Sequence, residues 1–253
     1  MIERRIRLVF EAMAQANVMC LLMGGQACVL YGAAEFSKDV DFVVLSDAEN
    51  ISRIIAAMDI LNAAVIAVPD FSAEHLNEGL AVHFRCQAPG VEGLRVDVMT
   101  KLRGLEDFKT LWERRTIVED GDGGCVSLLH IRDLVSAKKT QRDKDWPMIQ
   151  RLMEVRYLSS VDEPNAEEIQ FWLSELRTPE LLVDASSRFP DQAHQLSKHR
   201  PLLIAALANN LEDLIRQLNE EMMIEKEQDR LHWQPLRTRL ATLRRAKLDD
   251  RNL

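Results

Sequence analysis

The chain has 253 residues, 47% hydrophobic and 28% charged, with a formal net charge of −8. That composition belongs to a folded protein of one large domain or two ordinary ones, and its acidic balance argues against general affinity for nucleic acid or membrane surfaces. No apolar run reaches the length of a membrane span, and the charged start MIERRIRLVFEAMAQ is unlike a secretory leader, so a cytoplasmic protein with no membrane partner is expected.

Ile6, Val9, Phe10, Met13 and Ala16 recur at helical spacing and predict an amphipathic helix over residues 3–16. Residues 18–23 read as a short buried strand broken by Gly24-Gly25, and 26–31 as a turn or two of helix ended by Gly32. A second strand covers 39–45, and Ser46 to Glu49 reads as a capping box for a helix with Ile51, Ile54, Ile55 and Met58 on one face. Residues 65–68 read as strand, and strands at 81–85 and 94–99 flank Pro89-Gly90, which predicts an antiparallel pair. Residues 101–114 read as helix, 116–118 as extended, 120–124 as a tight turn, and the pattern is helical from Ser127 through Gln141. Asp145 is the expected N-cap of a further helix, with Pro147 in its first turn.

No strand is expected beyond about residue 158. Asn165-x-x-Glu168 and Thr178-Pro179 start helices. Pro201 opens a long helical stretch with Leu203, Leu207, Leu211, Leu214 and Leu218 on one side, and Pro235 interrupts it before a last helix. The expected organisation is an α+β domain over 1–158 followed by an all-helical C-terminal domain over 159–253. Cys20, Cys28, Cys86 and Cys125 have no CxxC spacing and read as reduced, structural thiols. The histidines, including His194 and His199, have no metal-ligand spacing and read as ordinary surface or core residues.

The run DVDFVVL raises a chemical question. In a strand, residues i and i+2 face the same way, so Asp39 and Asp41 project together while Val40, Phe42 and Val44 pack on the other face. Paired carboxylates raise each other's pKa unless a positive charge joins them, and Mg²⁺ is held by one or two carboxylates with substrate phosphates and water. LRVDVMT repeats the construction around Asp97. If the two strands are neighbours, the three acids converge on a pair of metal ions suited to phosphoryl displacement. Gly24-Gly25 would let a phosphate approach the backbone, and Gln26 would add a side-chain amide.

The order of MGGQACVLYGAAEFSKDVDFVV and LRVDV resembles the nucleotidyltransferase superfamily related to DNA polymerase β. DLVSAKKTQRDKDWPMIQRL, with Asp133, Leu134, Lys138, Arg142, Lys144 and Asp145, resembles the segment after the catalytic sheet in bacterial abortive-infection toxin nucleotidyltransferases. The resemblance covers about residues 18–155. It implies a mixed β-sheet flanked by helices that binds an NTP with Mg²⁺, two ions in number, and moves a nucleotidyl group to an acceptor hydroxyl. Asp39, Asp41 and Asp97 would be catalytic metal ligands, with Asp97 acting as or positioning the general base. Gly24, Gly25, Gln26 and Lys138 would hold the triphosphate. Many members have serine where this chain has Gln26.

A toxin-like enzyme would take an RNA end, tRNA first, or a protein as acceptor, and an antitoxin as partner. The alternatives are an enzyme adenylylating an aminoglycoside or lincosamide, whose positive charge suits an acidic cleft, and a non-catalytic nucleotide-binding module. For Lys138, Lys139, Arg142 and Lys144 the competing reading is a solvated helix face paired with Asp143 and Asp145. The basic tail with Arg237, Arg239, Arg244, Arg245, Lys247 and Arg251 reads first as a charged helix surface, and second as a contact for an RNA acceptor.

Overall fold

The computed structural model describes residues 2–119 and 124–249, so residues 120–123 of the turn expected at 120–124 and the tail residue Arg251 lie outside the described residues. Its contacts divide the chain into two units, one of residues 1–30, 34–137 and 232–253, the other of 31–33 and 138–231, described residues only.

The first unit begins with α1 (Arg4–Gln15), which buries Ile6, Val9, Phe10, Ala12 and Met13. Next come β1 (Cys20–Met23), α2 (Gly24–Leu30), β2 (Asp39–Val44) and α3 (Ala48–Ile60). They are followed by β3 (Ala64–Val65), α4 (Ala73–Glu78), β4 (Val82–Arg85) and β5 (Arg95–Met99). Then come α5 (Phe108–Glu113), β6 (Thr116–Glu119), β7 (Cys125–Leu128) and α6 (Ile131–Lys138). The strands form one mixed sheet in the order β3-β4-β5-β2-β1-β7-β6. β2 pairs with β5, and β1 with β7, in parallel; the other neighbours are antiparallel, including the expected β4–β5 pair.

Alternation does what the pattern predicts. Val40, Phe42, Val44, Val96 and Val98 are buried, and the Phe42 ring meets Phe10 of α1 edge-on at 6.3 Å. One face of β2 and β5 is therefore core, which leaves the opposite face to the acids.

Several local expectations change. The cap of α3 is Asp47, whose carboxylate accepts from the Asn50 N–H at 2.8 Å; Ser46 instead donates to Asn77. Only Phe108–Glu113 of the stretch 101–114 is helical, started by the Asp107 cap. Cys125–Leu128 is a strand, because it finds partners on both sides in β6 and β1, which no local pattern reveals.

Asn50 is fully buried in α3 and ties the ends of two strands together. Its Oδ1 accepts from Met19 N–H at 2.7 Å, and its Nδ2 donates to Met19 and Leu45 carbonyls at 3.0 and 2.7 Å. Asn50→Ala removes all three bonds, the Met19 carbonyl keeping the Leu45 N–H at 3.2 Å, and is expected to cost about 1–3 kcal/mol. A lowered urea midpoint with an unchanged slope checks this.

The second unit is helical: α7 (Trp146–Ser160), α8 (Ala166–Glu175), α9 (Pro179–Arg188), α10 (Pro190–Leu196), α11 (Leu203–Leu207) and the first part of α12 (Leu211–Asp249). The Asn165–Glu168 capping box is formed on α8, and Tyr157 meets Trp172 edge-on at 4.9 Å in its core. Asn209, at φ 53, breaks the stretch that Pro201 opens, so α11 and α12 are separate helices. Pro235 does not interrupt α12. Beyond it, within the first unit, Arg239 pairs with Glu78 at 2.9 Å and Lys247 with Asp70 at 2.8 Å. These two tail cations are thus surface ion pairs.

The four cysteines are free, and burial pushes the Cys86 thiol up to about 11, leaving it protonated near neutrality. Among the described residues no helix is long and apolar enough to cross a membrane.

Candidate active site

The parallel register of β2 and β5 sets Asp41 directly opposite Asp97, and Asp39 opposite Arg95. Since register partners and i, i+2 residues share a face, all three acids and Arg95 lie on the same side of the sheet. His83 of β4 joins them, as the partner of Asp97 on its other flank. The strand neighbourhood that the three-acid reading requires is therefore present.

The structure also supplies a cation of its own. The Arg95 guanidinium grips Asp97 at both oxygens, Nε to Oδ1 at 2.7 Å and Nη2 to Oδ2 at 2.6 Å. His83 Nδ1 lies 2.9 Å from Asp97 Oδ1 and 3.1 Å from Arg95 Nη2; protonated there it donates to the carboxylate, and in the other tautomer it accepts from the guanidinium. Burial pushes the Asp97 carboxyl upward, but the bonds from His83 and Arg95 outweigh it and hold the group below its ordinary range. Arg95 is correspondingly held in its charged form, chiefly by Asp97 and secondarily by the fields of Asp39 and Asp41.

The glycine turn closes on these acids. Gly24 has φ +68, and a Cβ there would stand 2.0 Å from Asp41 Oδ2; one at Gly25 would stand 2.3 Å from Ser37 Oγ. Gln26 is buried and donates from Nε2 to the Ser37 carbonyl at 2.8 Å. Its amide nitrogen thus ties α2 to the loop entering β2. The sequence GGQ and the sequence SKDVD are two sides of one contact: the missing side chains let the turn approach, and the glutamine fastens it.

The sequence motif around Lys138 is engaged within the protein. Asp133 of α6 is buried and receives both Nε and Nη2 of Arg114 at 2.8 Å. Lys138 is buried and its Nζ donates to Asp145 Oδ1 at 3.1 Å. Thr140 and Arg142 donate to Asp145 Oδ2 at 2.6 and 2.8 Å. Asp145 sits at the expected N-cap position of α7, after a 3-10 turn over Asp143–Asp145, but its side chain makes no cap bond. Lys139 pairs with Glu175 at 2.8 Å. By its contacts Lys138 belongs to the second unit, whereas Gly24, Gly25, Gln26, Asp39, Asp41 and Asp97 belong to the first.

Arg95, His83 and Ser37 join the expected residues at the site. Arg-Val-Asp alternates in the same way as Asp-Val-Asp, which marks Arg95 in the sequence, whereas only strand pairing brings His83 beside Asp97.

The donor chemistry suits a hard cation: Asp39 and Asp41 offer two carboxylates from one face, the number Mg²⁺ commonly takes from a protein, and the Arg95 guanidinium is a stand-in cation beside the third. Among the described residues no three His, Cys, Asp or Glu side chains already form a ligand group. A cavity of about 800 Å³ lies elsewhere on the first unit. It opens past the C-terminal ends of β2 and β5, between Leu45, Thr100, Lys101, Phe108 and the α12 residues Trp233 and Leu236. The acids, which begin β2 and occupy the middle of β5, are the better guide because they carry chemistry. No protein-family model and no curated protein matches the chain.

Proposed function

We propose that the chain is a Mg²⁺-dependent nucleotidyltransferase, with a mixed-sheet catalytic domain and a helical C-terminal domain, that moves an NMP from an NTP to an acceptor hydroxyl. The observation that carries this reading is the β2–β5 register, which sets Asp39, Asp41 and Asp97 together on one sheet face beside the glycine turn. Asp39 and Asp41 are the residues that would hold the metal, with Asp97 joining them. When bound, Mg²⁺ supplies the positive charge that lets a triphosphate approach an acidic face.

In the proposed reaction the acceptor oxygen forms a bond to the α-phosphorus, and the bond from that phosphorus to the α,β-bridging oxygen breaks. Pyrophosphate leaves with the bond's electron pair. The hydroxyl proton passes to a carboxylate, and Asp97 is the candidate, held in place by β5. Gly24 and Gly25 keep the turn close to Asp41 and Ser37, and Gln26 fixes that turn. The acceptor class proposed is an RNA end, tRNA first, or a protein, with an antitoxin as regulatory partner and the cytoplasm as its place of action.

A second reading has an observation in its favour. Both Asp97 oxygens are bonded to Arg95, an arrangement that also suits a non-catalytic nucleotide-binding module of the same fold.

The test offers labelled NTPs and Mg²⁺ to the full chain with tRNA, a protein mixture or an aminoglycoside. Label in tRNA or protein is expected with the wild type and none with Asp39→Asn or Asp41→Asn. Label in the drug alone moves the acceptor to the antibiotic class. Absence of both transfer and calorimetric Mg·NTP binding rejects the enzyme, and Mg·NTP binding without transfer favours the module.

A further inference from the structure

We infer that Arg95 is the resident counter-ion of the acidic face and that a divalent cation must compete with it for Asp97. The inference rests on the reading of Asp39, Asp41 and Asp97 as metal-binding carboxylates, and it adds a residue and a mode of control to that site.

The geometry gives the two partners unequal freedom. The Asp97 side chain is 9% exposed and anchored in the middle of a paired strand, whereas that of Arg95 is 37% exposed. Arg95 can withdraw to water on its long stem without burying its charge, and Asp97 cannot follow. Both Asp97 oxygens are bonded by the guanidinium in the fork geometry that makes such pairs strong. Arg95 stands opposite Asp39 in register and feels the fields of Asp39 and Asp41. The guanidinium is therefore bonded to one carboxylate of the three and lies in the field of the other two.

The competition has a direction. With Arg95 on Asp97, a metal ion meets only Asp39 and Asp41; when Asp97 joins the set, Arg95 is released beside the place where an NTP would bring its phosphates. A guanidinium released there is suited to hold a phosphate oxygen pair. Removing Arg95 consequently strengthens metal binding in the absence of nucleotide.

The experiment titrates MnCl₂ alone into the full chain, with free Mn²⁺ read by electron paramagnetic resonance. Arg95→Gln is expected to bind Mn²⁺ about 10- to 100-fold more tightly than the wild type, the range that loss of a charge-assisted competitor corresponds to. Adding Asp41→Asn is expected to abolish the gain. Equal affinities in the wild type and Arg95→Gln, both lost with Asp41→Asn, overturn the competition and leave the metal-binding reading standing. No Mn²⁺ bound at this face by either protein overturns both. If Arg95→Gln does not fold, the wild type decides the matter through the Arg95 Nε–H resonance, assigned with Arg95→Lys. Added Mg²⁺ is expected to move that signal toward the position of a solvated guanidinium, and a bound metal that leaves it unmoved overturns the inference.

Discussion

Gly24→Ala is expected to destabilise the first unit by about 2–5 kcal/mol, a sum of left-handed backbone strain and overpacking. The new Cβ would meet Asp41 Oδ2 at 2.0 Å and Asp41 Cγ at 2.6 Å, and Gly24 holds φ +68. The turn cannot relax toward the other side, because Gly25 is equally close to Ser37 and Gln26 is bonded to the Ser37 carbonyl. Gly93→Ala is the control: that residue has φ +75 with nothing within 4 Å of the added carbon, so it should cost only the backbone strain, about 1–2 kcal/mol. Urea denaturation of both variants separates the two terms. If they lose the same amount, Asp41 yields freely to the methyl group and the turn does not position it. Under the proposed function, Gly24→Ala also reduces Mg·NTP affinity at temperatures where it remains folded, whereas Gly93→Ala does not.

Asp145→Asn is expected to cost the second unit about 3–5 kcal/mol, because it leaves a buried cation without its counter-charge. Lys138 and Asp145 are 8% and 3% exposed, and Thr140 and Arg142 complete the carboxylate's bonds. Burial pushes the Asp145 carboxyl up, but the Lys138 charge, the Thr140 hydroxyl and Arg142 more than offset it and lower its pKa from the ordinary 3.8. The unfolded chain therefore takes up this proton at higher pH than the folded one. The stabilisation is present above the ordinary value and is lost as pH falls below 3.8 through the lower folded value. Acid unfolding followed by tryptophan fluorescence should therefore be steeper in the wild type than in Asp145→Asn.

Combining Asp145→Asn with Lys138→Met removes the stranded charge, and the double variant is expected to be more stable than Asp145→Asn alone. An additive loss would reject the pairing as the reason for the burial. The single variant Lys138→Met separates the two roles of the lysine: lost Mg·NTP affinity supports triphosphate binding, and unchanged affinity leaves Lys138 as the partner of Asp145.

The cost of carrying carboxylates in a buried strand has an answer that differs in part from the sequence-based one. Composition and spacing called for a cation between Asp39, Asp41 and Asp97, and Mg²⁺ was the natural choice. The chain itself brings one such cation, Arg95, and adds His83. Under the proposed function, metal and guanidinium would serve one electrostatic need, and the Mn²⁺ titration tests whether they exchange.

What the sequence determined by itself is whatever short-range stereochemistry controls. The two-residue period of a strand orients Asp39 with Asp41 and Val40 with Phe42. The 3.6-residue period buries Ile6, Val9, Phe10 and Met13 on α1, and Asn165 with Glu168 closes a capping box through bonds that span three residues. What only the tertiary structure decided depends on segments far apart in the chain. The β2–β5 pairing made Asp97 a neighbour of Asp41, and the β4–β5 pairing brought in His83. Partners on both flanks turned Cys125–Leu128 into a strand. In each case the local preference is worth at most a few kcal/mol, and burial, pairing and charge compensation between distant residues outweigh it.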